Sequence, residues 1–195
     1  EDEFCADFIR QHAIAEDEVL IAIAPGGGDN VKSSMPSRRW PQDRFAQLIQ
    51  EIQRQRPCRV VLVGGPQDRE AVSAIREECP ESIDATHLTF GEMASIFRRC
   101  QVYVGNDSGP LHIASAMGLF TLALFGPTDP KQWASPDATS TVLFKNVECS
   151  PCYHHGEFPD CEHLSCMRAI DVTDAVDAVL HTLKKALESA PVAQP

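Results

Sequence analysis

Continuous apolar runs alternate with segments of helical period along this chain. Val19-Leu20-Ile21-Ala22-Ile23-Ala24, Val60-Val61-Leu62-Val63, Gln101-Val102-Tyr103-Val104 and Leu119 to Leu124 have no polar alternation. Such runs mark strands covered on both faces in a parallel sheet. Thr141 to Phe144 is a weaker candidate that returns the chain to the body. Between them, Phe45, Leu48, Ile49 and Ile52 fall on one helical face, and further helices are predicted from about Asp68 to Glu78, over Gly91 to Arg99 and up to Gly118. Val176, Val179, Leu180 and Leu183 line one face of a last helix over Val172 to Leu187, and Phe4, Phe8, Ile9 and Ala13 suggest a short leading one. Strands alternating with helices predict an α/β class: a Rossmann-like, doubly wound parallel sheet with ligands at the carboxyl ends of the strands. The division that follows is a leading helix and linker over 1–18, one binding domain over 19–188 and a frayed tail over 189–195.

Length and charge narrow the function. A chain of 195 residues suits one domain with a proper core. No apolar run approaches the roughly 20 residues that span a bilayer, and no signal peptide is evident before the first strand. The chain begins without Met, so a fragment of a longer protein is expected. The net charge of −11, much of it in the first eighteen residues, argues against a nucleic-acid binder and requires local cations at any anion site. Cys5, Cys58, Cys79 and Cys100 are isolated and read as buried thiols of a reducing compartment.

The chemistry concentrates at Gly105-Asn106-Asp107-Ser108-Gly109-Pro110-Leu111-His112. A strand ends there, Asp107 or Ser108 stands at an N-cap position, and Pro110 suits the first turn of a helix. Free amides and the positive end of a helix dipole make such a turn an anion site. Gly109 permits close approach, and His112 adds a proton donor one turn along. Two more glycine turns follow strands, Pro25-Gly26-Gly27-Gly28 and Gly64-Gly65-Pro66. Neither is a P-loop or a GxGxxG fingerprint. Asp68, just beyond the second, suits either a ribose hydroxyl or an N-cap. The long polar loop from Asp29 to Arg39 closes with Arg38-Arg39-Trp40-Pro41, a functional basic pair or a solvated one.

Asp107-Ser108-Gly109-Pro110-Leu111-His112, the small-residue helix ending at Gly118, and Phe125-Gly126-Pro127-Thr128-Asp129-Pro130 together resemble the signature of glycosyltransferase family 9, the ADP-heptose:lipopolysaccharide heptosyltransferases. The resemblance runs from about Val19 to Leu187 and implies the C-terminal, donor-binding half of a GT-B enzyme. It implies inverting, metal-independent transfer of heptose from ADP-heptose to a lipopolysaccharide core acceptor, with no cofactor required; no Asp-x-Asp metal motif is evident. Arg38, Asp107, Ser108, Gly109 and His112 would meet the phosphates, Asp68, His87 and Leu88 the nucleoside, and Gly26, Gly27 and Thr128 belong to the donor loops. In the family the basic segment reads Lys-Arg-Trp-Pro; Arg38 keeps the charge of the first residue but not its shape. The family's general base lies in the acceptor half, so none is assigned here, and this chain alone is expected to be inactive. A cytoplasmic location, or a peripheral one at the inner membrane, is implied.

Cys149, Cys152, Cys161 and Cys166 are bunched as Cys-x2-Cys, eight residues, then Cys-x4-Cys. That spacing can gather four sulfurs around a structural zinc or iron, with His154, His155 and His163 as substitutes, and it suits disulfides or free thiols equally. Two rival functions stand beside the transferase: a serine hydrolase built on Ser108, and a non-catalytic nucleotide-binding or metal-braced interaction module.

Overall fold

The computed structural model describes residues 2–27, 29–30, 33–153 and 159–189. Gly28, His154 and His155, named above, fall outside them, as does most of the expected tail. In chain order the elements are α1 (Asp2–Gln11), β1 (Leu20–Ala24), β2 (Asp29–Asn30), β3 (Ser33–Ser34), α2 (Gln42–Gln55), β4 (Arg59–Val63), α3 (Arg69–Glu78), β5 (Ile83–Ala85), α4 (Phe90–Phe97), β6 (Val102–Asn106), α5 (Gly109–Ala116), β7 (Phe120–Phe125), α6 (Pro130–Trp133), β8 (Ser140–Phe144), α7 (Ser165–Arg168) and α8 (Val172–Ser189). Short 3-10 turns cover Pro36–Arg38 and Pro66–Asp68. Six strands form one parallel sheet in the order β5-β4-β1-β6-β7-β8. This is the doubly wound Rossmann arrangement, with the strand order reversing between β1 and β6.

Alternation within the buried strands assigns the two faces. Ile21, Ile23, Val60, Leu62, Val102 and Val104 pack with α2, α3 and α8. Leu20, Ala22, Val61, Val63, Tyr103 and Phe125 pack with α1, α4 and α5. Both faces are covered, so the strands need no polar alternation. Three differences from the sequence pattern are physical in origin. The stretch at Asp84, which has no apolar run of its own, holds a three-residue strand, β5, because parallel pairing with β4 supplies bonds that periodicity does not report. The long polar loop contains the antiparallel pair β2 and β3. The leading helix is part of the body, since Phe8 is buried in the core.

Candidate functional site

Asn106 joins three segments at the point where the strand order reverses. It is the last residue of β6 and fully buried. Its side-chain amide donates to the carbonyls of Pro25 and Gly26 at 3.0 and 2.9 Å, and its Oδ1 accepts the Trp40 N–H at 3.0 Å. Every strong hydrogen-bonding group of this buried amide side chain therefore has work to do, as burial demands. Trp40 is in turn buried edge-on to Phe45 and donates its indole N–H to the Ile170 carbonyl at 3.0 Å. The basic segment is thereby held against the end of β6.

This brings Arg38 to Asp107. Arg38 Nη2 lies 2.6 Å from Asp107 Oδ2, which also accepts from Thr128 Oγ1 at 2.8 Å. Asp107 is 2% exposed, so its charge depends on these partners. Its second oxygen and Arg38 Nε are buried without hydrogen-bond partners among the described residues. His112 Nε2 stands 3.8 Å from Asp107 Oδ1, and its side chain is 52% exposed, so it is not a core histidine. Ser108 occupies the N-cap position of α5 without capping it; its hydroxyl donates to the Asn106 carbonyl at 3.2 Å. Pro110 has no amide proton and the Leu111 amide donates to the Ser108 carbonyl at 3.1 Å, so the Gly109 amide is the first-turn donor left for a ligand, and the space over Gly109 is open.

Asp68 ties the other two turns together. Its Oδ1 accepts the Gly27 amide at 3.2 Å and its Oδ2 the Gly65 amide at 2.8 Å. It does not cap α3 with its side chain. A Cβ on Gly26 would meet Asp68 Oδ1 at 1.9 Å, and one on Gly64 would meet Oδ2 at 2.7 Å. These glycines are set by the carboxylate between them. Beside them opens a cavity of about 460 Å³, floored by glycine backbone, walled by Leu88, Phe90 and Met93, and ending at Ser108 and Gly109. Its size suits a small organic ligand.

Of the residues singled out in the sequence, Gly26, Gly27, Asp68, Leu88, Ser108 and Gly109 line this cavity. Arg38, Asp107, Thr128 and His112 cluster beyond its Ser108 end. His87 is exposed and does not line it; Asp84, Glu92 and His12 are groups within its electrostatic reach. Three residues were missed. Asn106 and Trp40 carry no motif signal beyond a polar residue ending an apolar strand and a Trp beside a basic pair. Phe90, 73% exposed at the cavity wall, was legible only as an apolar residue at a helix start. For the hydrolase reading, the partner found for the Ser108 hydroxyl is a backbone carbonyl, which gives it no base.

The cysteine loop is buckled onto the end of β7. Ser150 Oγ donates to the Gly126 carbonyl, and the Cys152 and Tyr153 amides donate to the Pro127 carbonyl at 2.9 and 3.0 Å. A Cβ on Gly126 would meet Met167 Sδ at 2.3 Å and Cys166 Sγ at 3.0 Å. Burial pushes the Cys152 and Cys166 thiols up, and the neighbouring cysteines push the same way. Four thiols are the right donors for zinc or iron, yet among the described residues no three His, Cys, Asp or Glu side chains are grouped closely enough to hold a metal ion. No helix among the described residues is long and apolar enough to cross a membrane.

The resemblance noted from the motifs extends to known proteins. Lipopolysaccharide heptosyltransferase 3 of Escherichia coli is 30% identical over 166 residues, which cover 80% of this chain and 48% of that protein. The chain spans about half the length of the curated relatives it matches or somewhat less. The structure of E. coli ADP-heptose lps heptosyltransferase II superposes with a TM-score of 0.73 at 20% identity, covering 95% of this chain and 52% of that one. The bacterial iron-containing dodecameric glycosyltransferase TibC from enterotoxigenic E. coli H10407 superposes with a TM-score of 0.63 at 16% identity, covering 87% and 46%. Both show the fold. The sequence profile of glycosyltransferase family 9 (heptosyltransferase) matches residues 10–162, and the chain belongs to that family.

Proposed function

We propose that this chain is the donor-binding unit of a heptosyltransferase. It would hold ADP-heptose or a related nucleotide sugar while a lipopolysaccharide-core hydroxyl, presented by an acceptor domain, displaces ADP with inversion at the anomeric carbon. The observation that carries this reading is the uncapped start of α5 facing Arg38 and His112 at the end of a glycine-floored cavity. The leaving diphosphate gains charge as the glycosidic bond breaks, so donors fixed in advance around it lower the barrier. The amides of the turn, Arg38 and His112 fill that part. Asp107 is itself anionic, and its part is to orient both cations. Leu88, Phe90 and Met93 would face the base. Among the described residues Asp68 accepts one amide at each oxygen, and the lone pairs left over would serve a ribose hydroxyl. Thr128 lies at the end of β7, across β6 from the cavity, on the side where the sugar would emerge. Phosphate charge is met by these cations and the helix start, so the proposed transfer needs no metal ion, and the enzyme would work at the cytoplasmic side of the inner membrane. The cysteine loop is proposed as a structural brace, whatever its thiols hold.

His112→Ala tests the reading directly. A charge-assisted hydrogen bond is worth about 1.5–3 kcal/mol, so calorimetry should show ADP affinity falling roughly ten- to a hundredfold with adenosine binding and melting temperature nearly unchanged. Equal losses for ADP and adenosine would remove His112 from the phosphate site. Arg38 is the poorer probe, because its removal strands a buried carboxylate at a cost of about 3–5 kcal/mol.

A further inference from the structure

Tyr103 is fully buried in β6, and its hydroxyl makes no hydrogen bond of good geometry among the described residues, although the Ser108 hydroxyl lies within its reach. A phenol so placed normally finds one, because an unpaired buried hydroxyl opposes folding. The ring packs edge-on to Phe97, with centroids 5.7 Å apart, and runs along the strand over Gly105. A Cβ on Gly105 would meet Tyr103 Oη at 2.4 Å and the Ala24 carbonyl at 3.0 Å. Glycine at 105 is what lets the phenol oxygen reach the carboxyl end of β6, at the level where β1 ends. Burial pushes the phenol far above its ordinary pKa; the Ser108 hydroxyl opposes this, while Asp107 and Asp68 add to it. The hydroxyl is therefore protonated at any working pH, a donor rather than a base.

Ser108 is confined from the other side. Gly27 has φ +103, and a Cβ there would meet Ser108 Cβ at 2.5 Å and Oγ at 3.0 Å. The serine hydroxyl thus sits between the β1 turn and the phenol, spending its proton on a 3.2 Å bond to the Asn106 carbonyl. An anion at the start of α5 would offer that proton a stronger acceptor. Once the serine donates outward, its oxygen is a better acceptor, and hydrogen bonds in such a chain reinforce each other.

We propose that Tyr103 is a positioning residue of the anion turn, its hydroxyl donating to Ser108 Oγ when the serine turns from the Asn106 carbonyl to a bound diphosphate. The inference rests on the reading of that turn as the diphosphate site. Tyr103→Phe removes one oxygen and keeps the ring against Phe97. Calorimetry with ADP and with adenosine on the wild type, Tyr103→Phe, Ser108→Ala and the double variant tests it. The expected result is a three- to tenfold loss of ADP affinity in Tyr103→Phe, about the worth of one neutral hydrogen bond. Adenosine affinity should hold and the melting temperature should hold or rise, since an unpaired buried hydroxyl is removed, and there should be no further loss of ADP affinity when the substitution is added to Ser108→Ala. Unchanged ADP affinity in Tyr103→Phe would overturn it. So would equal losses for ADP and adenosine with a lowered melting temperature, which mark a packing role, or an undiminished effect in the Ser108→Ala background. Wild-type protein that binds no ADP would instead overturn the site on which the inference rests.

Discussion

Two carboxylates organise the carboxyl edge of the sheet, and they do it with different partners. Asp107 is held by a guanidinium and a hydroxyl, so it fixes charged side chains. Asp68 is held by two glycine amides, so it fixes backbone. The first arrangement gathers Arg38 and His112 beside the start of α5, where the proposed diphosphate would sit, and the second leaves a smooth floor under the cavity. Gly26→Ala tests the second. Its methyl would have to displace the Asp68 carboxylate, and overpacking of this kind costs about 1–3 kcal/mol. Urea unfolding should show that loss, together with weakened adenosine binding. A variant as stable as the wild type would mean that Asp68 is free to swing away and does not hold the turns.

The starts of α4 and α5 differ in a way that matches their places. In α4, Thr89 accepts the Glu92 amide, while the Glu92 carboxylate accepts both the amide and the hydroxyl of Thr89. That capping box closes the helix end and holds Glu92 below its usual carboxylate range. The start of α5 has no such closure and lies beside the Arg38–Asp107 pair. The loop around the four cysteines makes a different kind of contribution, clamping Gly126 and Pro127 and so the approach to Thr128. If the thiols act separately, Cys166→Ser should lower stability by about 1–3 kcal/mol, because it buries a hydroxyl, and the exposed Cys149→Ser should stay within about 0.5 kcal/mol. Thermal melts of the four single variants check this. Equal, large losses at all four positions would instead indicate one shared metal centre.

At the scale of the whole molecule, the described site occupies one edge of the sheet. Both faces of its sheet are covered by helices, and the described site lies at the carboxyl edge, over β4, β1, β6 and β7. Nothing there is assigned as a base for the acceptor hydroxyl. The chain by itself should therefore bind ADP and transfer no heptose. Calorimetry and a turnover assay on the same preparation check both halves, and measurable transfer would place an acceptor site and a base within these residues.

The strands were legible because a strand buried on both faces must be apolar throughout, and such runs are rare elsewhere in a polar chain. The glycine turns and the start of α5 were legible for a similar reason: positive φ, close approach and Pro in a first turn restrict residue choice locally. Partnership was not legible. Asn106 bonds residues 80 and 81 positions away, and Trp40 one 130 away, and no local pattern encodes such pairings. β5 was missed because three residues are too few to show a period, and Phe90 because an apolar residue at a helix start reads as core until its exposure is seen. Local backbone preferences and apolar periodicity are properties of neighbours in the chain. The pairing of Arg38 with Asp107, the exposure of His112 and the reach of the Tyr103 hydroxyl to the end of β1 arise only when β1, β6 and the segments beyond them are brought together, because each depends on neighbours in space.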